Sequence, residues 1–302
     1  MASSPPKMGP RPCCMLTPVD LPHPGGGVGV ADPSKLGAHS YKAGDVYGQI
    51  YTCRGGFIDL GHTRETADLT RYFYHYLSKG GLHSAGSTFP TYGYKGSVHI
   101  KADIAGAQRV SVAASIAYDW SVFHEIESYY NPDVGGHHSS FSPEDSVSNF
   151  LGTYIGERAL SSPGSYDANV TSELDTALKA LGAQPPVVTN AVFAKISPSW
   201  IAGLDLMDLY SFDYLKRRNF DLYPVDPWIV PGIAQCPDTT WPVAIPRSHD
   251  PAIRALYEVE FDVPVHASAK LGAKLNTAGY AGAVTTIKAD ALAAYGANFA
   301  TP

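Results

Sequence analysis

The chain has 302 residues, of which 44% are hydrophobic and 17% are charged. It can therefore bury a sizeable core, and global disorder is excluded. The formal net charge is −6 and no run of Lys or Arg occurs, which argues against nucleic acid or an anionic membrane as the main partner. No stretch approaches the roughly 20 apolar residues that a membrane-spanning helix needs.

Residues 1–50 are rich in Pro and Gly and predict an extended N-terminal arm packed on the body of the protein. Residues 51–302 carry the periodic segments and predict a single catalytic-type domain. A weak candidate for a domain boundary lies near residues 184–190, in QPPVVTN.

Two long helices are expected in the first half of the chain. TADLTRYFYHYLSKGG has apolar residues at helical spacing before a double-glycine stop, which predicts a helix over about 62–79. VSVAASIAYDWSVFHEIESYYNP is apolar on most faces and predicts a buried central helix over about 106–130. Between them, TYGYKGSVHIKAD alternates like a strand near 95–103.

The later segments add helices and one clear strand. In FSPEDSVSNFLGTYIGERAL, Ser142 is suited to cap a helix and Pro143 to occupy its first turn. VTSELDTALKALGA predicts an amphipathic helix that ends at Gly182, and RALYEVEFDVP alternates as a strand. The expected fold is mainly α with a minor β component (α+β), a helical core and a few peripheral strands.

The four cysteines are Cys13, Cys14, Cys53 and Cys236, and no two of them form a C-x-x-C pair. This spacing disfavours a ribbon-type zinc site. It fits one or two disulfides that join distant segments, and reduced structural thiols are the alternative.

Histidine recurs among acids in two apolar, helix-like stretches. His62 and Glu65 are three residues apart, as are His124 and Glu127, so each pair shares a helix face. A buried histidine beside acids is costly unless the groups are paired, bind a metal or do chemistry. In a helical bundle, such side chains can converge on one ion.

The expected site has three metal ligands, His62, Glu65 and His124. Glu125 is expected to act as general base, and Asp145 to orient groups or complete the ligand set. Arg64 would steady an oxyanion or an anionic substrate group. The purely structural alternatives are helix-dipole compensation by Glu144 and Asp145, and a salt-bridge network in which Arg64 pairs with Asp59, Glu65 or Asp68.

The chain resembles the DUF4056 family, a family of unknown function found among exported bacterial proteins. The resemblance is carried by RPCC at 11–14, YTCRGGFID at 51–59 with His62, Arg64, Ala67 and Asp68 after it, SVFHEI at 121–126, FSPED at 141–145 with Ser148 and Asn149, RRNFD at 217–221 and PWIVP at 227–231. It implies export and disulfides, and it supplies no activity. The position of Glu65 is usually Asp in that family and Glu127 lies outside its pattern, which favours Glu125 as the functional acid.

These patterns predict a metal-assisted hydrolase with a divalent ion, zinc first, iron or manganese otherwise. Its substrate would be a glycan, peptide, ester or other small molecule of the cell envelope or exterior, and the protein itself would be secreted or periplasmic. The alternatives are a non-haem iron oxidative enzyme, a metal-free glycosidase that uses two of Asp59, Glu125 and Asp145, and a non-catalytic extracellular binding or structural protein.

Overall fold

A computed structural model describes residues 8, 29–78, 87–88, 95–101, 104–131, 140–200 and 215–296, with only the backbone described at 87–88 and no side chain described at 295. About 52% of the described residues are helical, and these residues form eight helices and small antiparallel sheets. The α+β prediction is therefore confirmed. Most of the predicted N-terminal arm lies outside the described residues, including Cys13 and Cys14.

The helices run in chain order as α1 (Leu60–Ser78), α2 (Arg109–Ser128), α3 (Asp145–Ser161), α4 (Tyr166–Leu181), α5 (Pro186–Trp200), α6 (Pro251–Arg254), α7 (Val265–Leu271) and α8 (Tyr280–Tyr295). The strands are β1 (Gln49–Thr52), β2 (Gly56–Asp59), β3 (Ser87–Thr88), β4 (Lys95–Ile100), β5 (Tyr257–Asp262) and β6 (Lys274–Asn276). Within the described ranges, no helix is long and apolar enough to cross a membrane.

Helices α1, α2 and α3 pack together at the centre of the core. Two glycines on α3 allow its close approach to α1. A Cβ atom built on Gly152 would lie 2.1 Å from the carbonyl oxygen of Thr63, and one on Gly156 would lie 2.8 Å from that of Ala67. Only glycine fits where two backbones approach so closely.

Two antiparallel sheets flank this core. Strands β1 and β2 form a hairpin in which Gln49 lies opposite Asp59. The other sheet has the order β3-β4-β5-β6, and Val98 pairs with Val259 in its middle. The ring of Phe261 stacks on Phe123 of α2 with ring centroids 4.1 Å apart, so this sheet packs directly on the central helix.

The predicted elements are largely confirmed. The alternation in β5 is as expected, because Tyr257, Val259 and Phe261 are buried while the two glutamates between them are partly exposed. The end of α4 at a left-handed Gly182 also agrees. The start of α3 differs: the helix begins at Asp145, and Ser142 does not cap it.

A disulfide joins Cys53, in the turn between β1 and β2, to Cys236 in the long segment before α6. The two residues are 183 positions apart in the sequence. This confirms that a cysteine pair connects distant segments.

Candidate metal centre

Three acidic and imidazole side chains meet where α1, α2 and α3 come together. His62, Glu125 and Asp145 each offer one ligand atom, and these atoms lie within 4.8 Å of one another. All three residues are buried. Side chains from three separate helices therefore converge on a single point, as in the carboxylate sites of helical bundles.

His62 is oriented by the start of α1. Asp59 precedes this helix, and its Oδ1 accepts hydrogen bonds from the backbone N–H of Gly61 at 2.6 Å and of His62 at 3.2 Å. Asp59 thus acts as the helix cap. Its Oδ2 lies 3.6 Å from Nδ1 of His62, and Oδ1 of Asp145 lies 3.3 Å from the same nitrogen. The imidazole is therefore flanked by two carboxylates.

The turn before α3 donates hydrogen bonds to the two central carboxylates, Glu125 and Asp145. The backbone N–H of Phe141 donates to Oε2 of Glu125 at 3.0 Å, and that of Ser142 donates to Oδ2 of Asp145 at 2.7 Å. Phe141 has φ of 58°, a left-handed conformation that is uncommon for a bulky residue and is often found at functional sites. Consecutive amides of this turn bind both carboxylates.

Glu144 and Gln49 surround the three central residues. Ser142 donates its hydroxyl to Oε2 of Glu144 at 2.5 Å. The side-chain amide of Gln49 donates to Oε1 of Glu144 at 3.2 Å and to Oδ2 of Asp59 at 3.4 Å. Glu144 is therefore a buried member of the site, and its carboxylate makes no cap of α3.

Burial controls the protonation of this cluster. It raises the pKa of Asp145 to about 6 and that of Glu144 to about 8, with neighbouring carboxylates adding to both effects. The pKa of Glu125 is raised well above its usual value, first by burial and then by the charge of Asp145. Unless a cation is bound, the cluster therefore holds protons at neutral pH.

A small cavity of about 10 Å³ touches Glu125 and Asp145. This is room for about one water molecule. Polar and apolar side chains share its lining, which is completed by Tyr118, Ser121, Val122, Phe141, Ser146, Asn149 and Leu222.

Three predicted site residues lie outside the central group. Arg64 is buried and donates to Oδ2 of Asp45 at 2.7 Å and to the carbonyl oxygen of Leu36 at 3.1 Å, so it holds the segment before β1. His124 stacks in parallel on Trp120, and burial together with the charge of His62 lowers the pKa of His124 to about 3. Glu65 is buried on α1 and does not join the group.

The carboxylate that pairs with Arg64 also contacts a histidine. Asp45 also lies 3.0 Å from Nδ1 of His39, whose Nε2 lies 3.0 Å from Asp68. These four side chains form a buried polar network. Arg64 therefore has the structural role considered as its alternative, but its carboxylate partner is Asp45, and Asp68 joins the network only through His39.

Comparison with known protein families gives one match. The profile of a family described as "Protein of unknown function (DUF4056)" covers residues 28–217, more than half of the chain. The chain belongs to the DUF4056 family. This DUF4056 chain matches no curated protein and no solved structure. All three central residues and both flanking acids lie within the matched range.

The sequence predicts Asp59 only as one acid of a metal-free glycosidase, and Glu144 only as a residue that compensates a helix dipole. It does not indicate Gln49 as a site residue. The register of the β1–β2 hairpin brings Gln49 opposite Asp59. The strand sequence QIYT contains two polar residues, and by itself it does not indicate that Gln49 lies beside buried acids.

Proposed function

We propose that this protein is a metal-assisted hydrolase in which His62, Glu125 and Asp145 hold one divalent ion. The observation that carries the proposal is the convergence of one imidazole and two carboxylates from three helices within 4.8 Å. This donor set suits Zn²⁺, Mn²⁺ or Fe²⁺, and three protein ligands are the usual number in catalytic zinc sites.

The surrounding charges support a cation at this point. Four buried acids, Asp59, Glu125, Glu144 and Asp145, are grouped around His62. Within the described part of the chain, no Lys or Arg forms an ion pair with Glu125, Glu144 or Asp145. Such a surplus of buried negative charge is costly unless protons or a metal ion compensate it.

A divalent ion in this position would supply a bound water of lowered pKa or polarise a carbonyl group. The protein's own part is to fix the ligands. Asp59 and the N–H groups of the 140–142 turn orient His62, Glu125 and Asp145, and outer partners of this kind strengthen metal sites. Glu125, expected as general base, is assigned to the ligand set, and Arg64 receives no catalytic role.

The proposed setting is outside the cytoplasm, and the substrate is a glycan, peptide or ester found there. The Cys53–Cys236 disulfide supports this setting, because such bonds persist in oxidising compartments.

The first experiment measures metal content in protein purified without chelator. We expect one zinc, manganese or iron ion per chain by elemental analysis, and loss of that ion in Glu125→Gln and Asp145→Asn. Glu127→Gln is the matched control, since Glu127 is equally buried on α2 but binds His266 at 2.6 Å instead. His124→Asn should also keep the ion.

Activity is then tested on chromogenic esters, peptides and glycosides. Hydrolysis should vanish with a chelator, return with the ion, and fall at least about 100-fold in Asp145→Asn. Absence of bound metal at micromolar free zinc, manganese and iron, or equal metal content in both ligand variants, overturns the metal site. Stoichiometric iron with a visible absorption band would instead favour the alternative function, a non-haem iron oxidative enzyme.

A non-catalytic role is the second candidate, and the tight enclosure of the cluster favours it. The adjoining cavity is only about 10 Å³ and His62, Glu125 and Asp145 are all buried. In that case no metal copurifies with the wild type, and none of the chromogenic substrates is hydrolysed.

A further inference from the structure

A second, larger cleft lies beside residues 220–226. Its volume is about 530 Å³, within the range of small-molecule sites. One wall is formed by the 220–226 segment and the other by one face of α8, at Ala281, Val284, Thr285 and Lys288. Leu222 lines both this cleft and the small cavity beside Glu125.

Arg254 lies in this cleft with part of its hydrogen-bonding capacity unused. Its guanidinium lies over the ring of Tyr223, 3.6 Å from the ring centroid, and 3.6 Å from Oδ1 of Asp119. Its buried Nε has no hydrogen-bond partner among the described residues, and the side chain is 29% exposed. A buried donor without a partner is uncommon and needs an explanation.

Lys288 supplies a second cation. Its ammonium lies 5.2 Å from the ring centroid of Phe220, and it makes no ion pair with a described carboxylate. Lys288 and Arg254 thus bring two cations and two aromatic faces to one cleft.

The acids nearby are mostly engaged elsewhere. Asp226 pairs with Arg247, another lining residue, at 2.6 Å. Asp119, buried behind Arg254, accepts hydrogen bonds from the hydroxyls of Tyr257 and Tyr223. Asp221 is exposed and lines the cleft. Arg254 and Lys288 are therefore lining cations that make no hydrogen bond to a described carboxylate.

We propose that this cleft binds a small organic anion. Its carboxylate or phosphate group is held by Arg254 and Lys288, and its apolar part lies against Phe220 and Tyr223. Guanidinium and ammonium groups are the usual partners of such oxyanions. The proposal does not depend on a metal at His62.

Thermal unfolding of the full chain tests this site with inorganic phosphate and citrate as probes, each compared with sodium chloride at equal ionic strength. A ligand that binds only the native state raises the melting temperature as its concentration passes the dissociation constant. We expect a rise with phosphate or citrate beyond that given by chloride and larger in the wild type than in the cleft variants, because the general stabilisation by excluded salts is common to all of these proteins. If only one of the two salts raises the melting temperature in this way, that salt identifies the preferred oxyanion.

Variants locate the binding. Arg254→Gln and Lys288→Gln should each weaken binding about tenfold, because each loses one charge-assisted hydrogen bond. Lys179→Gln is the matched control, since Lys179 is exposed on α4, outside the cleft, and pairs with Asp175. If Arg254→Gln fails to fold, the change in melting temperature of Lys288→Gln is sufficient to test the proposal. A rise equal to that with chloride, or one retained in full by Lys288→Gln, overturns the proposal.

Discussion

Glu144 is a carboxylic acid that folding removes from water. It accepts hydrogen bonds from Ser142 and Gln49, and burial raises its pKa from 4.5 to about 8. A group whose pKa is raised by folding favours the native state while it is protonated. Its stabilising effect is complete below its unfolded pKa and is lost as the pH rises through its folded pKa.

For metal-free protein we therefore expect the free energy of unfolding to fall between about pH 4.5 and pH 8, by a few kcal/mol. Asp145 adds to this fall in its lower part, because burial raises its pKa from 3.8 to about 6. Urea denaturation at a series of pH values in the presence of a chelator measures it.

Glu144→Gln should flatten the upper part of this profile, because the amide imitates the protonated acid. The matched control is Glu258→Gln. The pKa of Glu258 is lowered, chiefly by its hydrogen bond with Lys101, so its effect on stability appears only at acidic pH and the fall toward pH 8 should remain. A profile that stays flat in the wild type would contradict the buried, protonated state of Glu144.

Arg64 provides a second test at the scale of one residue. Arg64→Leu leaves Asp45 buried beside His39 without its guanidinium partner, and we expect a loss of about 3–5 kcal/mol in the free energy of unfolding. Arg247→Leu removes an exposed pair with Asp226 and should cost less than about 1 kcal/mol. Equal losses in the two variants would argue against the buried network.

The contact between α1 and α3 is the element on which the site depends, since His62 and Asp145 lie on these two helices. Gly152→Ala forces a methyl group against the carbonyl of Thr63, so the helices must separate. We expect a loss of at least about 2 kcal/mol in stability, together with weaker metal binding.

Gly282→Ala is the matched change on α8, where a Cβ atom meets nothing within 4 Å. Alanine is the better helix former, so this variant should be neutral or stabilised by up to about 1 kcal/mol. Chemical denaturation and metal titration of both variants provide the readout. If Gly152→Ala is tolerated as well as Gly282→Ala, the close packing of α1 on α3 is not required.

Sequence patterns gave α1 and α2 to within a few residues, because helical spacing and the stops after them are local signals. The prediction that Ser142 caps α3 was wrong, because its hydroxyl donates to Glu144 and the helix begins at Asp145. On α2 the choice between His124 and Glu125 depends on orientation, because successive residues point about 100° apart. Which of them meets His62 is set by tertiary packing, as is the role of Phe141.

For the whole molecule, the Cys53–Cys236 bond closes most of the chain into a loop. Such a long loop restricts the unfolded state strongly, so Cys53→Ala/Cys236→Ala should lose about 2–5 kcal/mol in the free energy of unfolding. Denaturation with and without reductant measures this. Reductant should destabilise the wild type much more than the double variant, and equal effects on both would exclude a stabilising role for this bond.

The enclosure of His62, Glu125 and Asp145 also has a kinetic consequence. An ion in a chamber that admits about one water molecule can leave only when neighbouring helices part, so its residence time would follow the rate of local opening. Cation added to folded apoprotein would then enter over minutes or longer, whereas cation present during refolding would be captured at once. Order of addition, more than final concentration, would govern how much active material is recovered.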